Sequence, residues 1–284
     1  MNTPLLLCTD LDRTLLPNGP QPESPGARAR FATLLRNTDI ILVYVTGRHR
    51  QLVQEAIRTY QLPQPAYVIT DVGTRLYHTE GSRWSPIEEW ERAIAGDWHG
   101  RDHDDLHEFF RGLPDLRLQE SSRQSRHKLS YYVPLHADRT ALLSRMQSRL
   151  EAQGVRASLI WSIDEAATMG LLDVLPEQAT KLHAIEFLAD RLAIPPRAIL
   201  FAGDSGNDLP VLTSSLPSVL VANASPEVRE TARIQAQRAG HADTLYLARG
   251  GFLQMNGNYS AGILEGLAHY HPELVTGLAA EAVS

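Results

Sequence analysis

Residues 39–47, DIILVYVTG, form an almost unbroken apolar run rich in β-branched side chains. Such a strand has no polar face to turn toward water, so it must be covered on both sides, as in a parallel sheet wrapped by helices. The neighbouring sequence has the matching order. LLLCT (5–9) reads as a strand, and ARARFATLLRN (27–37) as a helix with Phe31, Leu34 and Leu35 on one face. RQLVQEAIRTY (50–60) reads as a second helix and AYVIT (66–70) as a third strand, closed by the turn DVGT (71–74). PNGPQPESPG (17–26) is a loop by its prolines and glycines.

From residue 80 the rhythm changes. Residues 80–115 hold Trp84, Trp90 and Trp98 among clustered His and Asp, with little β-branched content. KLSYYVPL (128–135), VRASLIW (155–161) and GLLDVLP (170–176) read as strands around a helix over 138–153. The alternation returns with a helix over 179–193 and strands AILFAGD (198–204), SVLVAN (218–223) and TLYLA (244–248). A helix from Ser225 and a final one over 260–270 complete the pattern. The expected fold class is α/β: a doubly wound, mostly parallel Rossmann-like sheet from residues 1–79 and 175–284, interrupted by an α+β insertion at 80–174.

Composition narrows the partners. A formal net charge of −6 gives no general attraction to nucleic acid or to an anionic membrane. No stretch has the length of a membrane-spanning helix, and LLLC before the first aspartate is too short for a signal segment. The single cysteine, Cys8, sits in the first apolar run and leaves no intrachain disulfide framework. These features lead us to expect a soluble cytoplasmic protein.

In a doubly wound sheet, chemistry gathers at the C-terminal ends of the strands. There the sequence places Asp10 and Asp12, then Thr46-Gly47-Arg48, then GDSGND (203–208), with Lys181 near the start of the helix before that last strand. Each has a plain structural account. The aspartates could cap a turn, Thr46 could cap a helix, GDSGND could be a tight polar turn and Lys181 a solvated surface lysine. Taken together they form a site. Asp10, Asp204 and Asp208 supply hard oxygen ligands for Mg²⁺, while the Thr46 hydroxyl and Lys181 ammonium hold phosphate oxygens. One carboxylate of the first pair can then attack phosphorus, and the other can move protons.

DLDRT (10–14), TGR (46–48), Lys181 and GDSGND, in this order, resemble the four motifs of the haloacid dehalogenase-like phosphatases, and the likeness spans the whole chain. The resemblance implies that Asp10 is the nucleophile and Asp12 the acid/base. It further implies that Thr46, Gly47 and Lys181 bind phosphate, and that Asp10, Asp12, Asp204 and Asp208 surround Mg²⁺, with Asp208 acting through water. The insertion resembles the large α/β cap of the members that act on small phosphorylated metabolites. TDVGTRLYH (70–78), RHKLSYYVP (126–134), LLDVLP (171–176) and AGILEGLAHY (261–270) are similar to segments of the sucrose-6-phosphate phosphatases. That likeness implies hydrolysis of sucrose 6-phosphate or a related glycosyl phosphate, such as glucosylglycerol phosphate or mannosylfructose phosphate. It puts Arg48, Lys128 and Asn207 against the substrate and allows association with a sugar-phosphate synthase. Sugar phosphomutases share the four motifs, and a non-catalytic sugar-phosphate sensor is a third reading. Arg13 and Leu182 depart from the family pattern, where a small or amide residue and a glycine are common; Arg13 has no assigned role.

Other features have simpler accounts. His103 and His107 lie at i, i+4 but lack the zinc-site glutamate, and acidic residues 102, 104 and 105 suit a helix start. Trp84, Trp90 and Trp98 are expected in the core rather than against a sugar. His49 and Arg50 extend the basic loop at a helix start, and Asn223 is a turn residue or lines the site.

Overall fold

The computed structural model describes residues 3–164 and 167–280. Its main sheet begins with β1 (Leu6–Thr9), β2 (Ile41–Val45), β3 (Tyr67–Thr70), β4 (Arg75–Glu80) and β5 (Arg83–Pro86). The second sheet follows, with β6 (Arg117–Leu118), β7 (Leu129–Pro134), β8 (Ala157–Asp164) and β9 (Met169–Pro176). The chain then returns to the first sheet through β10 (Ile199–Gly203), β11 (Ser218–Leu220) and β12 (Leu245–Leu247).

The main sheet has the order β12-β11-β10-β1-β2-β3-β4-β5. It is parallel from β12 to β3 and antiparallel at β4 and β5. Alternate residues feed two separate cores, as the period of two demands. Leu7, Tyr44, Val68 and Leu200 pack on one side with Phe31 and Leu264. Leu6, Cys8, Val43, Ile69 and Phe201 pack on the other with Ile185 and Leu188. Helices cover both faces, which is why the strands need no polar side. The chain starts at β1, winds outward to β3, and later resumes on the other side at β10, so the winding reverses between β1 and β10. At such a point the outgoing loops diverge and leave a crevice at the C-terminal edge.

The second sheet is antiparallel, in the order β6-β7-β9-β8. Helices His103–Phe109 and Arg139–Ala152 cover one of its faces, burying Leu106, Phe110, Leu142, Met146 and Leu150 against Tyr131 and Val174. The expected change of fold at residue 80 is corrected by one element. Residue 80 falls in the β4–β5 hairpin, whose two-residue turn Gly81-Ser82 places Gly81 at φ +60°. Trp84 joins the first of the main cores, and Ile87, Trp90 and Ile94 join the second. The expected strands at 128–135, 155–161 and 170–176 and the helix start at 102–105 are all present, while β4, β5, helix Glu88–Ala95 and the last helix, Pro272–Ala280, are additional. Asp97, fully buried, ties the way into the second sheet to the way out: it accepts from Gln178 N at 2.7 Å and pairs with Arg156 at 2.5 Å. No described helix is long and apolar enough to cross a membrane.

Candidate active site

β1, β2 and β10 end at the same edge, delivering Asp10, Thr46 and Asp204 within one crevice. Asp10 N continues the ladder by donating to Ala202 O at 2.9 Å, and Thr46 N donates to Ile69 O at 2.9 Å. Lys181 opens the helix Lys181–Arg191, where Thr180 caps by accepting from His183 N. A lysine at a helix N-terminus opposes the helix dipole, so its place there needs a local source of negative charge. The helix start can come this close because Gly73, at φ +110°, leaves room: a Cβ there would lie 2.6 Å from the Thr180 carbonyl carbon.

That negative charge is a buried carboxylate cluster. Lys181 Nζ lies 3.1 Å from Asp10 Oδ1 and 2.7 Å from Asp208 Oδ1, and donates to Asn207 Oδ1 at 3.2 Å. The other oxygen of Asp208 accepts from Asp204 N, Ser205 N and Ser205 Oγ, each at 3.1 Å. Asp204 accepts from Thr14 Oγ1 at 3.2 Å and has Arg13 Nε at 3.5 Å. Asp10, Asp204 and Asp208 each offer a ligand atom, all within 4.8 Å of one another.

Burial, then repulsion from Asp208 and Asp204, holds the Asp10 carboxyl well above the usual range, and Lys181 only partly offsets this. Burial and the Asp208 charge raise Asp204 to about 7. Burial works against the Lys181 ammonium, but Asp10 and Asp208 outweigh it and keep the lysine charged. Three buried carboxylates face one buried ammonium, so full ionisation would leave an excess of negative charge, which protons relieve in the raised Asp10 and Asp204 and which a cation can relieve in their place. With Asp208 engaged by Lys181 and the loop amides, Asp10 and Asp204 carry the oxygens free to face a ligand. This all-oxygen, charge-rich donor set fits a hard divalent cation.

Asp12 is not brought into that cluster. Its carboxylate receives two hydrogen bonds from Arg48, 2.7 and 2.6 Å, and one from Asn18 Nδ2 at 2.6 Å. Partial burial pushes its carboxyl up, but the Arg48 hydrogen bonds and charge and the Asn18 amide prevail and set it below the usual range. Of the four residues expected around Mg²⁺, the structure gathers the carboxylates of Asp10, Asp204 and Asp208 and leaves that of Asp12 on Arg48. The reason is local: β1 stops at Thr9, and a turn in which Thr14, Leu15 and Leu16 N all donate to Leu11 O redirects the chain. Leu11 points into the core, fully buried.

The remaining expected residues are distributed around this centre. Thr46 is buried and its hydroxyl accepts from Arg48 N at 3.2 Å; Gly47 is exposed beside Val72. Asn207 is exposed and bridges Lys181 and Ser205. Lys128, just before β7, is buried and lies 3.7 Å from Asp173 Oδ2. It also faces Asp71, a buried residue at φ +52°, whose carboxyl burial pushes up while Lys128 pulls it down. The chain contains 25 arginines but only two lysines, Lys128 and Lys181, and both are buried here. Lysine is rarely buried, so that bias is a signal the motif reading left unused. Arg13 and Asp71 are further pieces the sequence did not assign, and Asn223, expected as a turn residue or as lining the site, makes a clamp. Asn223 Nδ2 donates to Arg13 O at 2.6 Å, and its Oδ1 accepts from Tyr259 N at 2.9 Å.

The features set apart in the sequence resolve simply. Asp102 and Asp105 form a reciprocal cap for their helix, and His107 Nδ1 meets Tyr131 OH at 2.7 Å, away from His103. Trp84, Trp90 and Trp98 are buried.

A doubly wound sheet carrying an acidic cluster and a lysine at its switch point, joined to a second antiparallel sheet, is the architecture of a haloacid dehalogenase-like phosphatase. The chain belongs to the sucrose-6F-phosphate phosphohydrolase family, whose profile matches residues 3–271. A Nitrosococcus oceani protein described as a HAD-like hydrolase is 52% identical over 96% of this chain and 73% of its own length. Sucrose-phosphatase 1 of Nicotiana tabacum is 30% identical over 94% of this chain, which spans 59% of that longer protein. The sucrose-phosphatase of Synechocystis sp. PCC6803, solved with sucrose and phosphate, matches with a TM-score of 0.72 and 26% identity, over 95% of this chain and 98% of that one.

Proposed function

We propose that this chain is a Mg²⁺-dependent phosphatase that hydrolyses a phosphorylated sugar, sucrose 6-phosphate in the first instance, through an aspartyl phosphate on Asp10. The observation that carries this reading is the separation of the two aspartates of the first loop. Asp10 is buried on Lys181, whereas Asp12 is held apart on Arg48 with 41% of its side chain exposed. This separation suits one carboxylate to act as nucleophile and leaves the other at the solvent side, where it can exchange protons with a leaving group and with water once Arg48 releases it.

In this reading an Asp10 oxygen attacks phosphorus, the bond from phosphorus to the sugar oxygen breaks, and Asp12 gives that oxygen its proton. Asp12 then takes a proton from a water that attacks phosphorus, and Asp10 is released with inorganic phosphate. To act first as an acid, Asp12 must be freed from Arg48, so arrival of the sugar phosphate draws that guanidinium away. Lys181, the Thr46 hydroxyl and the Gly47 amide bind phosphate oxygens. Mg²⁺, held by Asp10 and Asp204 with Asp208 behind them, would offset the repulsion between the attacking carboxylate and the phosphate. Residues 96–176 form the cap, with Lys128 reaching the sugar from one side and Arg48 and Asn207 from the other.

The test is phosphate release by purified protein with Mg²⁺ on sucrose 6-phosphate, glucosylglycerol phosphate, mannosylfructose phosphate and simple hexose phosphates. Preference for the first is expected, with no turnover by Asp10→Asn. Preference for a hexose phosphate would overturn the substrate while leaving the reaction; interconversion of sugar phosphates without free phosphate would overturn the reaction.

A further inference from the structure

Arg13 stands in a costly conformation beside the most weakly countered carboxylate of the cluster. Its φ is +59°, a region that L residues with long side chains seldom occupy. Three contacts hold it there. Arg13 N donates to Asn18 Oδ1 at 2.8 Å, Arg13 O accepts from Asn223 Nδ2 at 2.6 Å, and Arg13 Nη2 donates to Asn223 O at 3.4 Å. The result aims the guanidinium at Asp204, with Nε buried, 3.5 Å from Oδ2 and without a hydrogen-bond partner among the described residues. Gly19 lies over the same group, since a Cβ there would meet Nε at 3.4 Å.

The distribution of charge explains why a cation would be placed here. Lys181 touches Asp10 and Asp208, whereas among the described residues the Asp204 carboxylate is met by a threonine hydroxyl and Arg13. Resting on the reading that this cluster holds a divalent cation, we propose that Arg13 is a positioning residue, the resident counter-charge of Asp204, that weakens and thereby sets the affinity of the cation site. A fixed positive charge beside a ligand oxygen balances the carboxylate when the site is empty and repels the divalent ion when it arrives. Because 42% of the Arg13 side chain is exposed, solvent screens part of the effect.

The experiment titrates Mn²⁺ into metal-free protein and reads free Mn²⁺ by its electron paramagnetic resonance signal, followed by displacement with Mg²⁺. Arg13→Asn, which accepts positive φ, is expected to tighten Mn²⁺ by about fivefold, and Arg13→Lys to stay within about twofold of the parent. Arg13→Met keeps the stem without the charge and is expected to behave like Arg13→Asn, which covers a failure of the latter to fold. Unchanged or weaker binding in the folded uncharged variants, or equal tightening in Arg13→Lys, would overturn the role of Arg13 while leaving the cation site in place. Absence of Mn²⁺ binding in the parent and in every variant would overturn the cation site and this inference together.

Discussion

Lys181 and Asp208 form a salt bridge of 2.7 Å in which both side chains are almost wholly buried, and the same ammonium reaches Asp10 at 3.1 Å. The lysine is therefore the structural keystone of the cluster as well as a candidate phosphate ligand. Removing one member of a buried pair leaves the other uncompensated, which costs about 3–5 kcal/mol. Lys181→Met is expected to lower the melting temperature by about 10 °C. Adding Asp208→Asn to Lys181→Met should recover at least about 1 kcal/mol, because the stranded charge goes with it. Thermal melts of the two single variants and the double variant measure this coupling; simply additive losses would place the two side chains in separate environments.

Asp204 gives a pH dependence with a definite sign. Its folded carboxyl is raised from 3.8 to about 7, so the native state holds a proton that the unfolded chain releases. Without metal, this residue's contribution is neutral below the ordinary carboxyl range, becomes progressively unfavourable as pH rises from about 4, and reaches its full penalty above about 7. In chelator, Asp204→Asn should therefore melt above the parent at pH 8, by about 5 °C, and level with it at pH 4. Saturating Mg²⁺ should raise the parent at pH 8 and leave the variant nearly unmoved. A variant less stable than the parent at pH 8 in chelator would contradict the charge balance described here.

The parts of this arrangement that the sequence reveals are those written into buried strands. Asp10, Thr46 and Asp204 each follow an apolar run, so the sheet places them at one edge without further information. What stays hidden depends on backbone turns. Asp12 follows the strand by three residues, and nothing in LDRTLL shows that the turn around Leu11 O swings its carboxylate to Arg48. Arg13 and Asp71 occupy positive φ although neither is glycine, a conformation that sequence patterning does not signal. The β4–β5 hairpin was readable in principle, since Gly81-Ser82 is a two-residue turn, but Arg75, His78, Glu80 and Arg83 mask the strand character of an edge.

Arg48 holds Asp12 through two parallel hydrogen bonds, 2.7 and 2.6 Å, that only a planar guanidinium can make. Lysine keeps the charge but loses the fork, so Arg48→Lys is not a conservative change. On whichever sugar phosphate the protein hydrolyses, we expect kcat/KM to fall about tenfold in Arg48→Lys and about a hundredfold in Arg48→Ala. Because the pair is partly solvated, stability should change by less than about 1 kcal/mol. Paired kinetic and melting measurements separate the two effects. Wild-type kinetics in Arg48→Lys would mean that the fork has no part in turnover.

Two glycines beside the motif residues should respond very differently to alanine. Gly73 sits at φ +110°, and a Cβ there would come within 2.6 Å of Thr180 C and 2.7 Å of Thr180 O, backbone atoms immediately before Lys181. Its carbonyl is also fixed, accepting from Trp90 Nε1 at 2.8 Å, so the loop cannot easily rotate to make space. Gly73→Ala must then push the start of the Lys181 helix away from Asp10 and Asp208. We expect a loss of about 3 kcal/mol, combining backbone strain with steric overlap, and loss of phosphate release as Lys181 leaves its partners. Gly206, inside GDSGND, has no positive φ, and a Cβ there would meet nothing within 4 Å. Gly206→Ala should therefore change stability by no more than about 0.5 kcal/mol. Melting both variants against the parent decides the matter: a tolerated alanine at 73 would show that the close approach of the turn and the helix start is not what positions Lys181.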